Sequence, residues 1–188
     1  MNKKIHIMCF QIDKLLEKDP NRPIVVAIDG MSASGKSTLG KLLKEKYQCN
    51  LFHMDDFFLQ PKQRTKERLE QAGGNVDYKR FKKEILDHLF DQEGLVYQRY
   101  CCSSKLLEEK IKVPYCRLNI VEGSYSQHPY FKDIYDLRFF LEVSLEEQKQ
   151  RILVRNGEEQ LERFLKEWIP MENRYFETYQ IRSYSICL

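Results

Sequence analysis

The run Ile24-Val25-Val26-Ala27-Ile28, followed by Gly30-Met31-Ser32-Ala33-Ser34-Gly35-Lys36-Ser37, constrains this chain more than any other feature. The first five residues are mostly β-branched and apolar on both faces, as in a strand buried inside a parallel sheet. The next group has the spacing Gly-x4-Gly-Lys-Ser. Ser37 to Tyr47 then places Leu39, Leu42 and Leu43 at helical spacing. A glycine-rich turn between a buried strand and a helix can curl so that successive N–H groups point at one place. The helix N-terminus adds its positive end. The result is a cradle for phosphate oxygens, and Gly30, Met31, Ser32, Ala33, Ser34, Gly35, Lys36, Ser37 and Thr38 are the expected ATP-binding residues. Lys36 is expected to bridge the β- and γ-phosphates, and the Ser37 hydroxyl to ligate Mg²⁺. The competing reading is a left-handed turn that holds no ligand; the strand before it and the helix after it favour the cradle.

The chain has 188 residues, enough for one domain with a small lid or insert. Hydrophobic residues at 42% and charged residues at 31% allow a core and argue against disorder. A formal net charge of +3 is too balanced to point to a nucleic-acid partner. No apolar run approaches the ~20 residues of a membrane span. Lys14, Glu17 and Lys18 interrupt the start too early for a signal peptide. Six cysteines without CxxC spacing read as reduced thiols of a cytoplasmic protein, not as a disulfide frame or a zinc site.

Along the chain, residues 3–18 carry one apolar helical stripe, ended by Asp19-Pro20-Asn21-Arg22-Pro23. Leu51 to Met54, Leu118 to Val121 and Leu137 to Val143 read as further core strands. Tyr78 to Phe90 reads as a helix. Val96 to Tyr100 and Ile111 to Val113 could pair as a hairpin outside the main sheet. Ser144 with Glu147 fits a capping box opening a helix to about Arg155. A last helix is expected over 158–179, kinked at Pro170. The alternation of strands and helices predicts an α/β fold, with a parallel sheet flanked by helices and a helical lid. The expected organisation is a single domain over 1–188. It has an N-terminal helix at 1–19, a core at 24–143 with an acceptor-binding insert at 59–117, and a lid and C-terminal helix at 144–179. Residues 180–188 leave room for no more than a short closing strand, so the strand beside it is expected to be a sheet edge.

A phosphate cradle serves kinases, switch GTPases and motors alike. The guanine-reading Asn-Lys-x-Asp string is absent, and the chain is too small for a motor module. A small kinase remains, with a nucleotide-binding regulatory protein as its rival. Asp55-Asp56 follows a strand, at the sheet end where ligands bind in open parallel sheets. A carboxylate there can take the proton of an acceptor hydroxyl or help hold Mg²⁺. Glu122 ends an apolar strand, as a metal-associated carboxylate would. Arg151 and Arg155 are four apart on the capped helix and could place positive charge over a transferring phosphoryl group. His53 and His128 are assigned no role.

The pieces IDGMSASGKST (28–38), HMDDFF (53–58), GGNVDYKRF (73–81), IVEGSYSQHP (120–129), YDLRFFLEV (135–143) and QRILVRNG (150–157) occur in an order that resembles the uridine kinase family. That family belongs to a group of P-loop small-molecule kinases that includes nicotinamide riboside kinase, pantothenate kinase and phosphoribulokinase. The resemblance implies Asp55 as catalytic base, Glu122 as the Mg²⁺-associated carboxylate, Asp77 as a ligand of ribose hydroxyls, and Arg151 and Arg155 as lid arginines. It also implies ATP-dependent phosphorylation of a small-molecule hydroxyl, the 5′-hydroxyl of uridine first among them. Tyr78-Lys79 stands where His-Pro commonly follows the aspartate in uridine–cytidine kinases.

Overall fold

The computed structural model describes residues 2–188; Met1, the first residue of the expected N-terminal segment, lies outside them. Helix α1 (Asn2–Lys18) ends at a turn in which the Asp19 carboxylate accepts the N–H groups of Asn21 and Arg22. Strand β1 (Ile24–Gly30), helix α2 (Lys36–Tyr47) and strand β2 (Asn50–His53) follow. The insert contains a one-turn helix α3 (Lys66–Leu69), helix α4 (Tyr78–Glu84) and the strands β3 (Leu95–Cys101) and β4 (Leu106–Val113). Then come β5 (Leu118–Glu122), β6 (Leu137–Leu141), α5 (Leu145–Asn156), α6 (Glu158–Arg163), α7 (Ile169–Thr178) and β7 (Ile186–Cys187).

The main sheet has the order β2-β5-β1-β6-β7, with every pairing parallel. β1 lies at its centre and is buried throughout. Alternate residues of a strand face opposite sides, so its apolar run feeds two cores. Ile24, Val26 and Ile28 join Leu39, Leu43, Phe139 and Met8 on the side of α1 and α2. Val25 and Ala27 join Phe52, Phe57, Phe81 and Tyr175 on the side of the insert and α7. Each large apolar side chain so enclosed contributes about 1.5–3 kcal/mol of transfer free energy. β3 and β4 form the separate antiparallel hairpin expected outside the main sheet.

Several elements depart from the sequence expectation. The helix expected over 78–90 stops at Glu84 and gives way to a 3-10 turn at Leu86–His88. Glu84 is drawn sideways there, accepting from Arg80 and from the Gln98 N–H of β3. Only half of the Ser144–Glu147 capping box forms. Ser144 Oγ accepts the Glu147 N–H, while the Glu147 carboxylate pairs with Arg151. The expected helix over 158–179 is two α segments joined by a π turn at Phe164–Trp168, where the Ile169 N–H reaches Phe164 O. Pro170 has no N–H with which to continue the α pattern, and the widened turn before it absorbs that loss. Residues 181–184 form a 3-10 turn, and β7 then pairs with β6 at Phe139↔Ile186 and Phe140↔Cys187. Leu188 extends the contact through both its N–H and its carbonyl. The edge expected at β6 is therefore covered over this stretch. No helix among the described residues is long and apolar enough to cross a membrane.

β1 meets β6 most closely at its end. A β-carbon on Gly30 would lie 2.2 Å from the carbonyl oxygen of Leu141, and its φ of +140° is one that side chains rarely adopt. Gly30→Ala therefore combines backbone strain with overpacking. We expect a loss of ~3 kcal/mol or more, which is about 6–12 °C in the thermal midpoint for a domain of this size. A melt within about 2 °C of wild type would contradict this close approach.

Candidate active site

The turn after β1 carries the site because its geometry leaves donors exposed. Gly35 has φ +97° and α2 begins at Lys36. The N–H groups of Lys36, Ser37 and Thr38 therefore sit in the first helical turn, where no intrahelical carbonyl can accept them. Ser34 Oγ is buried in the same loop without a hydrogen-bond partner. These orphaned donors fit a bound polyphosphate. Lys36 is buried, and its ammonium donates to the carbonyls of Gly30 and Met31 at 2.8 Å each. The loop thus holds its own cation in reserve beside the orphaned amides.

The first half of the loop is tied to the protein. Met31 N–H donates to Leu141 O at 3.1 Å. Gln148, wholly buried in α5, donates to Ser32 O at 2.9 Å, and Arg151 donates to Ala33 O at 2.9 Å. Ala33 has φ +60°, a left-handed conformation costly for a residue with a β-carbon. The clasp from α5 helps to hold it there.

Ser37 and Glu122 meet across α2 and β5, with Ser37 Oγ 3.2 Å from Glu122 Oε2. The other oxygen of Glu122 is paired with His53 Nδ1 at the end of β2. That hydrogen bond raises the His53 pKa above its ordinary value, against the opposing effect of burial. A hydroxyl and a carboxylate are hard oxygen donors. Mg²⁺ is held by few protein groups and completed by phosphates and water, so this pair fits it.

Asp55 is the second residue of the 3-10 turn Met54–Phe57, which follows the C-terminal end of β2. Its side chain is exposed at this end of the sheet, with Glu122 and Lys36 near enough to act on its charge. The lost hydration, then the nearby charge of Glu122, push its pKa up to about 6, with Lys36 opposing. Asp56 turns away, 3.4 Å from Arg99 of β3, and its carbonyl accepts from Arg80. The adjacent carboxylates therefore serve different sides, one the cleft and one the insert.

The remaining expected residues divide. Arg151 reaches the loop. Arg155 does not: its guanidinium lies 5.9 Å over the Phe164 ring and donates to Asn156. Asp77 is buried and caps α4, accepting Arg80 N–H at 3.0 Å and the Gln63 amide at 2.7 Å. Sequence reasoning missed His53, Gln148, Asp29 and Glu172. Asp29 lies wholly buried beneath the loop and accepts from Gly30 N–H, Gln127 N–H and the Tyr175 hydroxyl. Burial pushes its pKa up to about 6. Glu172 accepts from Ser32 and Ser124. One signal could have found it: Glu172 interrupts the apolar helical face made by Ile169, Tyr175 and Phe176.

The raised pKa of Asp55 has a consequence for stability. Unfolded, the group titrates near 3.8; folded, near 6. Its charge therefore opposes folding above about pH 6, and the penalty fades as pH falls toward 4. Asp55→Asn should melt higher than wild type at pH 8, with a margin that shrinks steadily toward pH 4. Asp29 titrates in both proteins and drops out of the difference. A margin that is flat across this range, or negative at pH 8, would contradict the assigned electrostatics.

No family model matches this chain, and no curated protein matches it. Solved structures do. A possible uridine kinase from Bacillus stearothermophilus aligns over 100% of this chain and 98% of its own, with a TM-score of 0.73 and 19% identity. A candidate fructose transport system kinase from Silicibacter sp. TM1040 aligns over 97% and 95%, with a TM-score of 0.72 and 22% identity. D-glycerate 3-kinase from Cryptococcus neoformans aligns over 80% and 78%, with a TM-score of 0.56 and 14% identity. With the parallel sheet and its flanking helices already in place, these likenesses show that the chain has the P-loop kinase fold.

Proposed function

We propose that this chain transfers a phosphoryl group from ATP to a hydroxyl of a small acceptor, with the 5′-hydroxyl of uridine or a related nucleoside as the first acceptor to test. The observation that carries this reading is Asp55. It faces the cleft at the C-terminal end of the sheet, electrostatically coupled to both Glu122 and Lys36. A regulatory nucleotide-binding protein has no use for such a group.

The reading gives each residue of the site a role. The amides of the first turn of α2 bind the phosphates, and Lys36 exchanges its loop carbonyls for phosphate oxygens. Ser37 and Glu122 would hold Mg²⁺, which supplies charge neutralisation on the phosphates when bound. Asp55 accepts the acceptor's proton and orients its oxygen; a pKa near the operating pH suits a general base. Arg151, on the lid, adds positive charge at the loop. The six free cysteines and the balanced charge support a cytoplasmic enzyme.

A second acceptor class is favoured by Asp77. Both of its oxygens are already engaged by α4 and Gln63, so a ribose diol has to share or displace those contacts. Pantothenate, nicotinamide riboside, and sugars or their phosphates therefore belong in the same screen.

The test is ADP release measured against that panel. Release should depend on one acceptor class. Asp55→Asn should lower turnover by about 10²–10⁴-fold with ATP affinity largely kept. Lys36→Ala should lower it by about 10²–10³-fold. Asp56→Asn should stay within about tenfold of wild type. Tight ATP binding with no acceptor-dependent release would overturn the kinase reading, and an inactive Asp56→Asn beside an active Asp55→Asn would exchange their roles.

A further inference from the structure

We propose that Glu172 is a positioning residue for ATP, holding the first turn of the phosphate loop in its binding form. The inference rests on the ATP-dependent reading above and adds a residue from outside the motif.

Glu172 lies one turn into α7 and is only 5% exposed. Its carboxylate accepts three hydrogen bonds: Ser32 N–H at 3.0 Å, Ser32 Oγ at 2.6 Å and Ser124 Oγ at 2.7 Å. Ser124 Oγ also lies 3.1 Å from the carbonyl of Gly30. One side chain thus ties the loop to the segment after β5 and to the helix behind the lid. A buried carboxylate is tolerated only with such donors around it.

The division of the loop shows what this does. Met31 and Ser32 give their N–H groups to the protein, whereas Lys36, Ser37 and Thr38 keep theirs free by helix geometry. Ser32 is held on its other side by Gln148, and Ala33 by Arg151. The strained Ala33 therefore hangs between fixed neighbours. Releasing Ser32 lets that strain relax and turns the downstream amides away from a common point. Glu172 does not make way for a phosphate. Tyr175 and Phe176 anchor the same helix in the core at 0% and 1% exposure, and withdrawing the carboxylate would take the acceptor from both donors of the half-buried Ser32.

The test compares Glu172→Gln, Glu172→Asp and Phe176→Leu with wild type by ATP titration with Mg²⁺, thermal melting, and hydrogen exchange of the loop in the ligand-free protein. The Gln side chain keeps the length, but its NH₂ cannot accept from Ser32. Phe176→Leu loosens the same helix without touching the loop. Glu172→Gln should weaken ATP binding roughly ten- to a hundredfold and speed exchange at Ser32, while kcat at saturating ATP changes little. Glu172→Asp should fall between, because it reaches one serine and not both. Phe176→Leu should melt lower with its ATP Kd unchanged. Wild-type affinity in Glu172→Gln overturns the proposal. So does tighter binding, which would make the carboxylate a competitor of phosphate. Weakening in proportion to the melting temperature across Glu172→Gln and Phe176→Leu also overturns it, as a purely structural effect. Wild-type protein that binds no ATP overturns the functional reading and this one together.

Discussion

The contact between Gly30 and the backbone of Leu141 is the constraint on which the rest of the site depends. Because no side chain intervenes, β1 ends directly against β6, and the Met31 N–H closes onto the Leu141 carbonyl at 3.1 Å. That fixes where the chain leaves the sheet. The loop must then climb over the end of β1 and start α2 beside β5, which brings Ser37 to Glu122. The parallel order β2-β5-β1 next sets Asp55 and His53 on the same rim. Each step is a consequence of sheet register: Ile28 pairs with Glu122 on one side and with Phe139 on the other.

The site concentrates negative charge around one buried cation. Glu122, Glu172 and Asp56 all raise the Asp55 pKa, and Lys36 lowers it. Such an arrangement costs folding free energy that the two apolar cores must offset. It is intelligible as preparation for ligands. On the proposed function, a metal ion and the loop lysine would neutralise different members of the set. Helix α5 is joined to this centre by side-chain-to-backbone bonds from Gln148 and Arg151. The insert is joined to it through Asp56 and Arg99. Both flanking parts thus report on the same few residues.

Much of this was legible in the sequence because it is local. The strand, the glycine spacing and the helix after it are contiguous, and Glu122 closes an apolar run in plain view. What was hidden depends on long-range geometry. Glu172 is 140 residues from Ser32, and nothing in MENRYFE pairs the two except a break in an apolar face. His53 meets Glu122 only because β2 is the neighbour of β5. Asp77 and Arg155 are the converse case, where a ligand role was expected and the contacts present are local. Their motifs suggested ligands, but nearby partners claim them in this structure: Arg80 N–H and Gln63 for one, Asn156 and Phe164 for the other. The π turn before Pro170 escaped for a simpler reason. Proline marks where a helix is disturbed, not how the preceding carbonyls adapt.

The central claim is that the turn after β1 is a phosphate cradle with its lysine held in reserve. The most direct test is a crystal structure with a non-hydrolysable ATP analogue and Mg²⁺. The account predicts phosphate oxygens within hydrogen-bond distance of the Lys36, Ser37 and Thr38 amides. It also predicts that the Lys36 ammonium has left the carbonyls of Gly30 and Met31, where it now sits at 2.8 Å from each, for the phosphates. An analogue bound elsewhere, or a lysine still on those carbonyls with the loop occupied, would contradict it.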